Sequence, residues 1–284
     1  MVKASPYLAH TFLVVIGDFF FLKLSRRLAG EQTTRMAFAL YISNFFFNKH
    51  IIRCFGNSVE TILNIVVFNY YLDITKSYDK NIKIVALCLS IALGIRTTSI
   101  IGWLPLLFIK IMQIRTIIPF LKAGIFVALP TITGIIVIDS IYYKQFTVTG
   151  YNFMHINVVE NRSAEFGTGS NLIFITEYLP YTFGFLKYFI IFAIMYEVHN
   201  SSVRKRIPVT LIFVTFYLMV LSLVPHKESR FMIPVMPYLF IMLAQLFSYI
   251  CRQHSFCAIL VVCTILSNSL LQILMHIGHT ATRY

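Results

Sequence analysis

Acidic side chains are scarce. The 284-residue chain holds 11 Asp and Glu against 24 Lys and Arg, and only 12% of its residues are charged. A soluble domain carries about 25% charged and about 45–50% apolar residues, so an ordinary soluble fold is excluded. The five cysteines (Cys54, Cys88, Cys251, Cys257 and Cys263) are odd in number and contain no Cys-x-x-Cys pair. A disulfide framework or a zinc site is therefore not indicated. The eight histidines show no metal-ligand spacing. Internal repeats, linkers and low-complexity tracts are missing too. Nucleic acid explains the net charge of +13 poorly, because the cations are scattered between apolar runs rather than gathered on one face.

Hydrocarbon is abundant instead. Hydrophobic residues make up 58% of the chain, and the mean hydropathy is +0.76. Apolar spans are expected at about 6–23, 35–48, 58–74, 82–95, 98–111, 117–138, 179–197, 207–224, 232–250 and 255–275. That pattern predicts an all-α polytopic membrane protein of about ten helices, forming one domain over residues 1–284. The first span carries Asp18 and runs into Lys23-Leu24-Ser25-Arg26-Arg27, which reads as a stop-transfer flank rather than a cleavable signal. Asp18 is expected to pair with a helix-end cation such as Lys23.

Cations set the expected topology. If the segment after the first span is cytosolic, alternate loops collect Lys23, Arg26, Arg27, Arg35, Lys76, Lys80, Lys83, Lys110, Arg115, Lys122, Arg204, Lys205, Arg206 and Arg252. That is 14 of the 24 Lys and Arg, a modest bias that supports a lumenal N-terminus by the positive-inside rule. Every polar cluster then falls on the lumenal side.

The densest cluster is His226-Lys227-Glu228-Ser229-Arg230-Phe231, followed by Pro234 and Pro237 and wedged between two apolar spans. Charges at membrane depth are costly and read by default as functional; the alternative is a juxtamembrane anchor, although anchors rarely place a Glu between cations. A second cluster, Arg53-Cys54-Phe55-Gly56-Asn57-Ser58-Val59-Glu60-Thr61, opens the third span, with Asn57 or Ser58 placed to cap the helix and Glu60 to meet its dipole. A third, Arg96-Thr97-Thr98-Ser99 with Trp103 and Pro105, separates two short spans. The longest polar interval runs from Asp139 through Tyr142, Tyr143, Asn152, Phe153 and Asn157 to Gly167. Long structured intervals of this kind are often functional. Asp139 there either acts as a base, caps a turn or pairs with Lys144. Asn161-Arg162-Ser163 is a glycosylation sequon on the lumenal side, whereas Asn200-Ser201-Ser202 lies beside Arg204-Lys205-Arg206 and is expected to be cytosolic and unused.

His-Lys-Glu-x-Arg-Phe with its Pro-x-x-Pro pair resembles the signature of the dolichyl-phosphate-mannose-dependent mannosyltransferases of the endoplasmic reticulum (glycosyltransferase family 22, GT-C type). The other clusters are similar in order and spacing to the GPI mannosyltransferase 3 branch. Its Arg-Thr-x-x-Asn-Ser/Thr-x-Glu-Thr is answered by Arg53, Asn57, Ser58, Glu60 and Thr61, with Cys54 in place of the Thr. Its Arg-Pro-Thr-x-x-x-x-Trp-x-Pro-Leu is answered by Arg96, Thr98, Trp103, Pro105 and Leu106, with Thr97 in place of the Pro. Asp139, Tyr142, Tyr143, Asn152, Phe153 and Asn157 answer its Asp, aromatic pair and Asn-Phe-x-x-x-Asn. Gly167 to Leu172 stands where the branch has a His-Pro-Trp-His-Trp run, which bears on acceptor specificity. The branch's further N-terminal helix and acidic lumenal loop, which carries the expected catalytic base, have no counterpart; the expectation is a fragment or a compact lineage.

The resemblance implies a GT-C bundle in the endoplasmic reticulum membrane with lumenal motif loops. It implies transfer of mannose from dolichyl phosphate mannose to a glycolipid acceptor, the third, α-1,2-linked mannose of a GPI precursor, without metal or other cofactor. An N-glycan-precursor mannosyltransferase, a catalytically dead paralogue and a multispan transporter remain alternatives, although a transporter would more often show broken helices and carboxylates near midplane. Leaving-group stabilisation and proton removal define the expected site. His226, Lys227, Arg230, Arg53 and Arg96 are the candidate phosphate ligands. Glu228, Glu60, Asn57, Trp103 and Tyr143 are supporting residues, and Asp139 is the remaining candidate base.

Overall fold

The structure, a computed structural model, describes residues 5–75, 78–160, 162, 165, 167–253 and 256–281. The Asn161 sequon and Lys76 lie outside the described residues, as do the side chain of Cys257 and most of the short segment before Gly167.

Among the described residues the secondary structure is entirely helical. The helices are α1 (Ser5–Ala29), α2 (Glu31–Ser43), α3 (Phe45–Ile51), α4 (Gly56–Leu72), α5 (Tyr78–Ile95), α6 (Trp103–Ile114), α7 (Ile118–Ala123), α8 (Leu129–Tyr143), α9 (Thr149–Met154), α10 (Leu179–Phe183), α11 (Lys187–Val203), α12 (Val209–Leu223), α13 (Met236–Gln253) and α14 (Phe256–Ala281). A π-helical turn over Gly124–Ala128 joins α7 to α8, and another over Phe174–Tyr178 leads into α10.

Among the described residues, four helical segments are long and apolar enough to cross a bilayer: Pro6–Ala29, Thr97–Ile114, Ile118–Tyr143 and Phe174–Val203. A fifth is counted if α3 and α4, bent by 101° at a short break, form one span. The expected span at 35–48 is broken. Asn44 stops α2, its side-chain oxygen accepts from the Phe47 amide at 2.8 Å, and its amide donates to the Thr182 carbonyl at 2.9 Å. An Asx cap of this kind restarts the helix in a new direction.

Long-range contacts sort the helix ends into two groups. His10 Nε2 lies 2.8 Å from the Ile51 carbonyl, and Cys54 Sγ donates to the Pro6 carbonyl. The start of α1 therefore shares one end with the α3–α4 corner. At the other end Arg27 pairs with Asp73 at 2.6 Å, and Arg206 donates to the Leu28 carbonyl at 3.2 Å. The chain shuttles between these ends through α1, α2, α4, α5, α6, α7–α8, α10–α11, α12, α13 and α14. Asp18 does not pair with Lys23. It accepts from Tyr41 at 2.7 Å while Lys23 lies over the Phe20 ring, because a partner on α2 is nearer than one a turn and more along α1.

Helix α13 is the axis, buried without interruption from Met236 to Ser248. At its start an aromatic knot joins Phe68, Trp103, Phe213 and Tyr238, with Phe68 centroids 4.5 Å from both Trp103 and Tyr238. Gly102 allows the approach of α6 to α12: a Cβ there would meet Phe213 Cε2 at 2.5 Å. By contrast α8 buries no residue and presents Ile, Leu and Val outward, as a lipid-facing helix does.

Candidate active site

The polar clusters meet where α4 begins. Phe55 is extended and serves as the N-cap, with no side-chain cap bond, so neither Asn57 nor Ser58 caps the helix as the sequence suggests. Both are buried and reach outward. Asn57 Nδ2 donates to the Arg230 carbonyl at 3.1 Å, and Ser58 Oγ donates to the His50 carbonyl at 2.9 Å. Asn57 thus ties the second cluster directly to the first. Glu60 falls beyond the first turn and serves an ion pair rather than the dipole.

Glu60 is fully enclosed. Its Oε2 lies 3.2 Å from Arg96 Nε, and its Oε1 accepts from Tyr217 at 3.0 Å. A buried carboxylate persists only when paired and hydrogen-bonded; Arg96, just past α5, supplies the ion pair, and Tyr217 of α12 the hydrogen bond. Arg96 also donates to Thr98 Oγ1 from Nε and Nη2, at 3.2 and 3.1 Å, and its guanidinium covers the Phe231 ring at 4.9 Å. Gly56 makes room for it, since a Cβ there would meet Arg96 Cγ at 3.1 Å. A guanidinium carries five N–H donors; Nη1 of Arg96 remains uncommitted among the described residues.

The second cation group lies against the same corner. Arg230 Nε and Nη2 clasp Glu228, the latter at 2.7 Å from Oε1, and His226 Nε2 lies 3.0 Å from that same oxygen. Burial pushes the Glu228 carboxyl up, but hydrogen bonds and charge from Arg230 and His226 outweigh it and hold the group below the ordinary carboxylate value. Arg230 lies over the Phe55 ring at 5.6 Å, and the exposed Arg53 lies over that ring at 5.9 Å. Three arginines, 53, 96 and 230, therefore abut two consecutive residues, Phe55 and Gly56.

Lys227 is buried, and its Nζ donates to the Gly169 carbonyl at 2.9 Å. Burial pushes its ammonium below the ordinary lysine value. The Gly169 amide donates to the Pro225 carbonyl at 3.1 Å, and His226 Nδ1 lies 3.3 Å from the Gly167 carbonyl. The glycine-rich stretch that replaces the expected aromatic-histidine run is thus pinned across the motif.

Asp139 stands at the end of α8 and accepts from Thr149 Oγ1 at 2.6 Å, rather than pairing with Lys144. Lys144 adopts a left-handed conformation that closes α8 and leaves the carboxylate to the start of α9. A Cβ at the next residue, Gly150, would lie 3.2 Å from Thr97 Cγ2. This brings α9, and Asp139 with it, beside the Arg96 segment. Tyr143 is exposed next to Tyr142, their rings edge to face at 5.1 Å. Trp103 sits elsewhere: it is fully buried beneath the mouth and donates to Asn64 Oδ1 at 2.8 Å, so it braces α4 rather than meeting a ligand.

Three residues at the site were not foreseen. Tyr178 donates to the Lys227 carbonyl at 2.9 Å, which sets the next residue back, the exposed Glu177, beside the motif. An acid in the otherwise apolar run Leu172 to Leu179 was the available signal. Tyr217 gave none, being one aromatic among many in a spanning helix.

The chain matches the Alg9-like mannosyltransferase family from residue 2 to residue 284. It belongs to that family. Among curated relatives, bovine GPI alpha-1,2-mannosyltransferase 3 is 30% identical over 237 residues, covering 82% of this chain and 42% of the bovine protein. The human protein of the same name is also 30% identical, over 82% of this chain and 41% of its own length. Candida albicans GPI mannosyltransferase 3 is 23% identical over 244 residues, 84% of this chain and 47% of that protein. The family member described here thus spans less than half the length of these relatives. No solved structure gives a significant match.

Proposed function

We propose that this chain carries the donor-phosphate side of a mannosyltransferase site, moving mannose from dolichyl phosphate mannose to a GPI-anchor precursor in the endoplasmic reticulum lumen. The observation that carries the reading is the convergence of Arg53, Arg96 and Arg230 on Phe55 and Gly56, with Lys227 and His226 on the same loop. The names of the relatives support the third, α-1,2-linked mannose as the product.

In this reading the bond from the mannose C1 to the donor phosphate oxygen breaks, and the polyisoprenyl phosphate leaves with the electron pair. The acceptor hydroxyl oxygen bonds to C1 and gives its proton to a carboxylate. Negative charge grows on the phosphate in the transition state, where preorganised cations act most strongly. Arg96 and Arg230 offer Nη1 groups that are uncommitted among the described residues, and Lys227 its remaining N–H bonds. These protein cations supply the charge that a metal would otherwise bring. Glu228 holds Arg230 and His226 with both oxygens and so positions cations rather than taking a proton. Glu60 is enclosed with Arg96 and Tyr217 and does the same for Arg96. The half-buried Asp139 and the exposed Glu177 are carboxylates beside the mouth that could serve as the base.

The test is mannose transfer from radiolabelled donor lipid to a two-mannose GPI precursor, in membranes carrying the full chain. Lys227→Ala and Arg230→Ala, inserted at the parent level, are expected to lose transfer. Transfer at the parent rate by both would remove the phosphate assignment.

A further inference from the structure

At the end opposite the mouth, the polar groups do not balance. Arg26 pairs with Glu31, Arg27 with Asp73, and Arg206 with both oxygens of Glu197. Arg204 and Arg252 make no direct ion pair among the described residues, although the Arg204 charge also bears on Glu197. Both line one narrow, solvent-open cleft of about 40 Å³, between the end of α1, the start of α2, and the ends of α11 and α13. From Met236 to Arg252 along α13 is roughly 24 Å at 1.5 Å per residue, so the cleft is remote from the mouth.

Three further observations give the cleft a chemistry. First, Gln245 lines it while more than nine-tenths buried, and its Oε1 has no hydrogen-bond partner. A buried carbonyl left in that state is costly and calls for a donor from outside the chain. Second, Thr33 lines the cleft from the first turn of α2, whose N-cap is Gly30, with φ 83° and no capping side chain. Uncapped N–H groups at a helix start suit an anion. Third, Tyr196 and Tyr249 form an aromatic wall with centroids 5.1 Å apart, and such rings favour a headgroup layer. Arginines at helix ends can simply complete the dipole. Two that share one cleft with an open amide end and an unpartnered carbonyl go beyond that role.

We propose that this cleft binds a polyol phosphate, the phosphate between Arg204 and Arg252 and a hydroxyl on Gln245. At about 40 Å³ the enclosed space is far below the roughly 300 Å³ of an enclosed ligand site, so it seats polar groups of the ligand while the rest of the headgroup lies in the open mouth of the cleft. Basic pockets between spanning helices take anionic headgroups in this way. The site is independent of the proposed transfer reaction.

The experiment titrates detergent-purified full chain with dioctanoyl phosphatidylinositol, myo-inositol 1-phosphate and dioctanoyl phosphatidylcholine, and reads binding by thermophoresis. Phosphatidylinositol is expected to saturate and phosphatidylcholine to give no signal. Arg204→Ala/Arg252→Ala, two exposed residues without direct ion pairs among the described residues, is expected to weaken binding at least 10-fold, whereas Lys227→Ala at the far end leaves it unchanged. Gln245→Leu is expected to weaken binding while raising the ligand-free thermal midpoint, which separates lost contact from lost fold. Equal affinity for myo-inositol 1-phosphate supports the site and assigns it to a soluble source; preference for phosphatidylinositol assigns it to the membrane. Equal binding of phosphatidylcholine, or undiminished binding by the double arginine variant, overturns the proposal.

Discussion

Glu60 offers the sharpest perturbation, because it is fully enclosed while its partner Arg96 keeps 16% of its side chain exposed. Removing one partner of a buried ion pair costs about 3–5 kcal/mol, since the other charge is stranded. In Glu60→Ala the stranded group is Arg96, partly relieved by solvent and by the Phe231 ring, and Tyr217 loses its acceptor as well. We expect a loss of about 4 kcal/mol for this variant and about 3 kcal/mol for Arg96→Ala, where the carboxylate keeps Tyr217. The double variant strands no charge and should be less destabilised than the two losses added together, by about 2 kcal/mol. Reversible unfolding of the purified chain in mixed micelles, run as a double-mutant cycle, measures this. Losses that add to within about 0.5 kcal/mol would show that the pair is not coupled and that Glu60 does not hold Arg96 in place.

Other outcomes follow from the same geometry. Because burial lowers the Lys227 ammonium below its ordinary value of 10.5, donor affinity should weaken on the alkaline side before that pH, and Lys227→Arg should abolish the limb. Glu228 is held below its ordinary value of 4.5, so the Arg230–Glu228–His226 cluster is intact above that pH and is lost as pH falls through the depressed value. A flat acid limb in a thermal-stability profile would contradict this. Of Asp139→Asn and Glu177→Gln, one should lower kcat by roughly 10²- to 10⁴-fold with little change in KM, as removal of a general base does. Trp103→Ala should cost about 3–5 kcal/mol in unfolding free energy, through the cavity and the stranded Asn64.

Much of the architecture was legible because apolar length is a strong signal in a chain this poor in charge. The helical segments lie where the spans were read, apart from the 35–48 stretch, where a single Asn side chain outweighed the apolar pattern. Gathering of the polar clusters at one end was also legible, since alternate loops in a shuttling bundle must share a side. Residue-level wiring was not. Asp18 was expected to pair with Lys23, and Lys144 was one of the alternatives for Asp139, yet Tyr41 and Thr149 reach these carboxylates through tertiary packing. Trp103 was read as a supporting residue from its place in the motif, but its position beneath the mouth depends on how α6 crosses α4. Glu177 and Tyr217 became visible only once the loop around Lys227 and the enclosure of Glu60 were in view.

The central claim is that the cations at the start of α4 and in the 226–230 loop jointly hold a lipid-borne sugar phosphate. Equilibrium binding of a short-chain polyprenyl phosphate mannose to the purified full chain tests it most directly, with Arg96→Ala, Lys227→Ala and Arg230→Ala compared one by one. A lost hydrogen bond to a charged group is worth about 1.5–3 kcal/mol, so each variant should bind roughly 10- to 100-fold more weakly. Parent affinity in all three would contradict the account.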